Sequence, residues 1–266
     1  MKREISRVVT SVLRLLPVPM HAVLLRKAVA VADEQTRFRN GLLSMFGSLA
    51  NLSEAGFKPG GIVDVGANVG KWTSAAAKIF PEARFHMLEA QPDLAANLRV
   101  VAQQLGSERA TFGIGLFGAK KQEAVPFHTL GTGSSVFEEV TKLEKGLVTL
   151  PMKRLDDIQE VAALPRPLLL KLDVQGYELE VLQGAEETLS DSEVVLAEVA
   201  LLEYNKGAPL MPEVVAFMDA RGFVPYDICG QLRRASDRAL FQIDMIFARR
   251  ESALRAHRRF SVYELD

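Results

Sequence analysis

The chain has 266 residues, 48% of them hydrophobic and 24% charged, which fits one large α/β domain with an extension better than a disordered or fibrous chain. Its 32 Lys and Arg against 33 Asp and Glu leave a net charge of −1, so no general field draws in nucleic acid. One cysteine, Cys229, and 4 histidines exclude an internal disulfide and a Cys-rich zinc site, and make a reducing cytoplasm the expected compartment.

Lys2 and Arg3 precede an apolar stretch over 8–25 and a small-residue run over 28–32. A signal peptide is not expected, because Arg14, Pro17 and Pro19 interrupt the apolar run and Arg26 and Lys27 fall where a cleavage region is uncharged. No run reaches the roughly 18 apolar residues of a membrane span. Ile5, Val8, Val9, Val12, Leu13 and Leu16 share one helical face, with Lys2, Arg3, Arg7 and Arg14 opposite. Packing on its own domain is the expected fate of such a helix; a peripheral contact of residues 1–16 with the inner face of a membrane is the alternative. A second helix is predicted over 33–54, with Leu42, Leu43, Phe46 and Leu49 buried, and AGFKPGG ends it. This divides the chain into an N-terminal helical extension over 1–58, a main domain over 59–252 and a tail over 253–266.

From Gly61 onward short apolar runs alternate with helical patterns, the mark of βαβ units and a mostly parallel sheet. Strands are predicted at GIVDV, RFHMLEA and ATFGIGL, with helices over 71–79 and from Pro92. The stretch 123–152 lacks a helical period and reads as a hairpin-like insertion. LLLKLDV suits a central strand, followed by a helix through EVLQGAEETL, a strand at VVLAEVAL and a helix around PEVVAFMDARG. FVPYDI and FQIDMIFARR are joined by a loop with no helix between them, which closes a parallel order with an antiparallel hairpin.

Asp64, Gly66, Asn68 and Gly70 lie between a strand and a helix. Gly66 permits a sharp turn, Asn68 tolerates unusual backbone angles and Gly70 lets the helix begin close to the sheet. Val65 and Trp72 rule out a P-loop, and the order G-x-N-x-G departs from the dinucleotide fingerprint. An acid ending the first strand repels a pyrophosphate but suits an α-ammonium group. Glu89, ending the second strand, stands where an acid can accept both ribose hydroxyls. Together they describe S-adenosylmethionine; taken singly, Asp64 reads as a turn cap and Glu89 as a solvated acid. Lys171 and Asp173, two apart in a strand, project to one side, and burial requires them to pair or to serve the crevice at the strand's end.

KLDVQGYELEVLQGA resembles the hallmark segment of the FkbM-type family of S-adenosylmethionine-dependent methyltransferases, and DVGANVG with LEAQPD resembles that family's cofactor half. The resemblance runs from about Gly61 to Arg250 and includes GTGSS and VVLAEV; Gln175 stands where the family frequently has Glu. It implies a Rossmann-like class I methyltransferase fold, a mostly parallel seven-stranded sheet with an antiparallel last strand, and O-methyl transfer to a hydroxyl of a sugar, glycan or secondary metabolite.

Transfer from a sulfonium to a neutral hydroxyl needs alignment and a base or a metal. Asp173 is the first candidate base, with Lys171 stabilising an alkoxide or holding Asp173 ionised and Glu198 joining them. These carboxylates could also bind a divalent ion, although no compact metal motif occurs. His128 is an alternative base, and Ser134 and Ser135 are candidate cofactor or acceptor contacts. Tyr204 and Asn205 are placed to shape the acceptor pocket, whereas Trp72 has no assigned role. Two rival functions stay open: an NAD(P)-dependent oxidoreductase and an inactive cofactor-binding module that docks through its basic helix.

Overall fold

The computed structural model describes residues 44–129, 134–137 and 146–256. The basic helix over 1–16, the predicted helix before residue 44, Gly131, Gly133 and the tail beyond residue 256 lie outside the described residues. A compact unit starts at Met45. Its first helix, α1 (Met45–Glu54), buries Ser48, Leu49 and Leu52. Phe46, expected on the buried side, is 38% exposed, because the inward face follows the spacing of positions 45, 48, 49 and 52.

A seven-stranded sheet is built from β1 (Gly61–Val65), β2 (Arg84–Glu89), β3 (Ala110–Ile114), β7 (Leu168–Leu172), β8 (Ser192–Ala200), β9 (Phe223–Arg233) and β10 (Leu240–Arg249). Their order across the sheet is β3-β2-β1-β7-β8-β10-β9. Neighbours run parallel from β3 to β8, and β10 is antiparallel to both β8 and β9. The expected order and the antiparallel last strand are both present. The central strands β1 and β7 are buried at every position, which is why their sequences read as continuous apolar runs.

Each sheet face carries its own core. On one, Ile62, Phe85, Met87, Leu169 and Leu196 pack against α1, α2 (Lys71–Ile79) and α3 (Ala95–Leu105) through Leu49, Leu52, Ala76 and Leu98. On the other, Val63, Val65, Leu170, Leu172 and Val195 meet α5 (Glu178–Gln183), α6 (Glu186–Asp191) and α7 (Met211–Asp219) through Val181, Leu189, Val214 and Met218. The helix predicted through EVLQGAEETL is two short helices, α5 and α6, broken at Gly184. Between β3 and β7, the insertion forms a separate sheet, β4-β6-β5, from β4 (Leu116–Phe117), β5 (Gln122–Thr129) and β6 (Gly146–Lys153), followed by α4 (Gln159–Ala162). No described helix is long and apolar enough to cross a membrane.

Candidate active site

A cavity of about 610 Å³ opens at the carboxyl ends of β1, β2, β7 and β8, beside the point between β1 and β7 where the strand order reverses and an open α/β sheet binds ligands. Its floor is the turn after β1. Gly66 has φ 77°, and a Cβ there would collide with the carbonyl oxygen of Asp173, so this backbone is bare by necessity. Asn68 also sits at positive φ, 50°, and its side-chain oxygen accepts from the Val69 amide at 2.8 Å. Gly70, at φ 75°, immediately precedes α2; a Cβ there would press to 2.9 Å from Val101, so its absence lets the start of the helix lie close to α3.

Glu89 lines the cavity, and its carboxylate accepts the amides of Asn68 at 2.7 Å and Gln91 at 2.9 Å. It is thus a fixed acceptor, with lone pairs beyond those two bonds. Asp64 does not share the cavity wall. It is fully buried, accepts the Thr73 hydroxyl at 2.7 Å and pairs with Lys171 Nζ at 2.8 Å, its register partner across β1 and β7. The expectation that it meets a ligand's ammonium is corrected: its charge is already answered inside the protein. Lys171 also donates to the Gly66 carbonyl at 2.9 Å and lies 3.8 Å from Asp173 Oδ2. Burial pulls its pKa down, but Asp64 and Asp173 outweigh that, and the ammonium stays above its ordinary range.

The alternation of β7, β8 and β10 brings Asp173, Glu198 and Asp244 toward one another, with Glu198 and Asp244 register partners. Asp173 keeps 44% of its side chain exposed. Burial, then Asp173, Glu178 and Asp244, push Glu198 well above the carboxylate range; burial and Asp173 push Asp244 up to about 6. Between the first two acids lies Gln175, whose Nε2 donates to Asp173 Oδ1 at 2.9 Å and to the Glu198 oxygens at 3.1 and 3.2 Å. Among the described residues no group of three or more His, Cys, Asp or Glu is placed to hold a metal ion.

Ser134 lines the cavity, whereas Ser135 is buried, donates to the Gln175 carbonyl at 2.8 Å and is corrected from ligand contact to internal support. His128 is corrected as well. It neighbours the cavity-lining Phe127 on β5, and since successive strand side chains face opposite ways it is not on the wall. Tyr204 lines the cavity against Phe241, ring centroids 5.9 Å apart, while Asn205 is buried and donates to the Gln175 carbonyl at 2.6 Å. Residue patterns missed Trp72, Gln175, Glu178 and Asp244. Trp72 lines the cavity and donates to the Met45 sulfur at 3.1 Å. Glu178 accepts the Val174 and Gly176 amides at 2.9 and 3.2 Å, and burial lifts it to about 7 despite those bonds. Asp244 carried a readable signal, a carboxylate inside the apolar run FQIDMIF, of the same kind that singled out Lys171 and Asp173.

Residues 64–225 match the model of the methyltransferase FkbM domain. The chain is 26% identical over 238 residues to methyltransferase sdnD of Sordaria araneosa, covering 76% of this chain and 85% of that one. Among solved structures it is similar to methyltransferase FkbM from Methylobacillus flagellatus KT, with TM-score 0.44 and 14% identity over 70% of this chain, and it spans 43% of that protein. It is also similar to 1,6-didemethyltoxoflavin-N1-methyltransferase of Burkholderia thailandensis, which holds S-adenosylhomocysteine, with TM-score 0.40, 12% identity and coverage of 88% of this chain and 91% of that one. The family match sets aside the oxidoreductase alternative. A bare glycine turn facing a strand-end carboxylate, within a domain matched over more than half its length, places this chain in the FkbM family of methyltransferases.

Proposed function

We propose that the chain transfers the methyl group of S-adenosylmethionine to a hydroxyl of a sugar, glycan or secondary metabolite, with Asp173 as the base. The bare backbone at Gly66 fits the cofactor, because a side chain there is sterically forbidden and ligand atoms can approach the main chain. Glu89 would accept the ribose hydroxyls, and the turn 66–70 would hold the amino-acid end. When bound, the cofactor supplies an electrophilic methyl on a sulfonium.

The protein's own task is to align the acceptor oxygen and take its proton as the bond forms. The observation that carries this reading is Asp173: it is exposed in the cavity, with Oδ1 held by the Gln175 amide and Oδ2 3.8 Å from the Lys171 ammonium. Burial and Asp173 push Glu198 well above the carboxylate range, which favours its exposed neighbour Asp173 as the base. Lys171 lowers the cost of negative charge at the base. Phe117, Phe127, Tyr177 and Tyr204 supply apolar walls that suit the ring faces of a small acceptor better than a polyanion.

Methyl transfer from labelled S-adenosylmethionine to a panel of hydroxylated acceptors tests the reading. Asp173→Asn is expected to cut turnover about 10²–10⁴-fold, the usual worth of a general base, while S-adenosylhomocysteine binding by calorimetry persists. Undiminished turnover would remove Asp173 from the role. An inactive module would bind S-adenosylhomocysteine and methylate nothing in the panel.

A further inference from the structure

The Gln175 carbonyl accepts two side-chain hydrogen bonds from distant parts of the chain. Ser135 Oγ reaches it at 2.8 Å from the insertion, and Asn205 Nδ2 at 2.6 Å from the loop after β8. Both donors are buried, at 1% and 5% exposure. Gln175 has φ 55°, a conformation that a side chain disfavours, and it is held there at the point where its amide reaches two acids. The amides on either side, Val174 and Gly176, both donate to Glu178 Oε1. Gly176 cannot relieve the arrangement by becoming another residue, since a Cβ there would come to 2.8 Å from Ala208.

We propose that Ser135 and Asn205 are positioning residues for methyl transfer: by gripping the Gln175 carbonyl they fix its amide between Asp173 and Glu198 and so set how those two acids divide a proton. The proposal rests on the reading of Asp173 as base. Other charged groups also face the pair: Lys171 from β7 with Asp64 of β1 behind it, Asp244 from β10 and Glu178 from the start of α5. Only Ser135 and Asn205, among the described residues, bond the Gln175 carbonyl, so a change at either reaches the acids through the amide. An N–H donated to a carboxylate favours its ionised form; losing that donor makes the pair hold its proton to higher pH.

The test is a carbon-detected NMR titration of side-chain carboxyls in the ligand-free full-length protein, with Asp173→Asn and Glu198→Gln to assign the two signals. Ser135→Ala and Asn205→Ala are expected to raise the pair's midpoint, by about one pH unit when combined, the amount attached to one hydrogen bond to a charged group. Ser135→Thr keeps a hydroxyl and is expected to titrate as wild type. Gln175→Ala is expected to give the same rise, and adding Ser135→Ala to it to give no more, because no amide is left to position. An unmoved midpoint in both single alanine variants, or a shift that adds to that of Gln175→Ala, overturns the proposal. A lowered melting temperature does not rescue it, since a merely structural role weakens the fold without moving this titration. If the combined variant does not fold, the single variants and Ser135→Thr carry the same comparison. The titration needs neither donor nor acceptor, so its failure is distinct from that of the base, which fails if Asp173→Asn retains wild-type turnover.

Discussion

Removing the Lys171 ammonium strands Asp64, a carboxylate with no exposure whose other contact is the Thr73 hydroxyl. Lys171→Met is therefore expected to destabilise the fold by about 3–5 kcal/mol in urea denaturation, the cost of an unpaired buried charge, while the pair variant Asp64→Asn with Lys171→Met recovers most of it. Recovery absent in the pair variant would mean that Lys171 acts through the Gly66 carbonyl instead. Glu178 gives a prediction with a pH sign. Its folded pKa, about 7, lies above the ordinary value of 4.5, so between those values the folded chain holds more protons than the unfolded one and stability falls as pH rises. Both backbone amides bond the same oxygen, Oε1, which a glutamine can supply. Glu178→Gln should thus match wild-type melting at pH 5, exceed it at pH 8 and flatten the decline between. Asp64 and Glu89 looked alike in the sequence, as strand-end acids flanking one turn. What separates their fates is Lys171, one strand across, and a pairing between positions 64 and 171 joins parts of the chain too far apart for local periodicity to reveal.

At the scale of elements, the break between α5 and α6 falls at a crowded glycine. A Cβ on Gly184 would collide with the Gly118 carbonyl just after β4, so the second sheet packs against the helix pair at a point that tolerates no side chain. Gly184→Ala is expected to cost about 1–3 kcal/mol through overpacking. Gly106, after α3, has open space around it but φ 95° and ψ 133°, outside the left-handed helical well; Gly106→Ala is expected to cost about 1–3 kcal/mol from backbone strain alone. Urea titration measures each loss, and a Gly184→Ala variant as stable as wild type would deny the Gly184 contact. Helical periodicity ran through Gly184 because Val181, Leu182, Ala185 and Leu189 are all core residues on either side of the break. In the insertion, by contrast, the absence of a helical period correctly signalled strands, but which side chain of β5 faces the cavity depends on its pairing with β6, and that placed Phe127 rather than His128 inward.

For the whole molecule, the sheet was legible because its central strands are buried on both faces and helices join most of its parallel strands, so each apolar run had one reading. The active cavity was legible only in outline: the turn and Glu89 follow from local sequence, whereas the Gln175 bridge needs Ser135 and Asn205 from opposite sides of β7 in the chain. The unit beginning at Met45 contains both cores, and a chain starting near residue 44 is expected to melt in a single transition and to bind S-adenosylhomocysteine as the full chain does. Loss of cooperative melting would show that the preceding residues are needed for folding. The Asp64–Lys171 pair also bears on descent. Neither charge can be lost first without passing through a weakened protein, so the two codons are constrained to be inherited together, and a lineage that has exchanged one is expected to have exchanged the other.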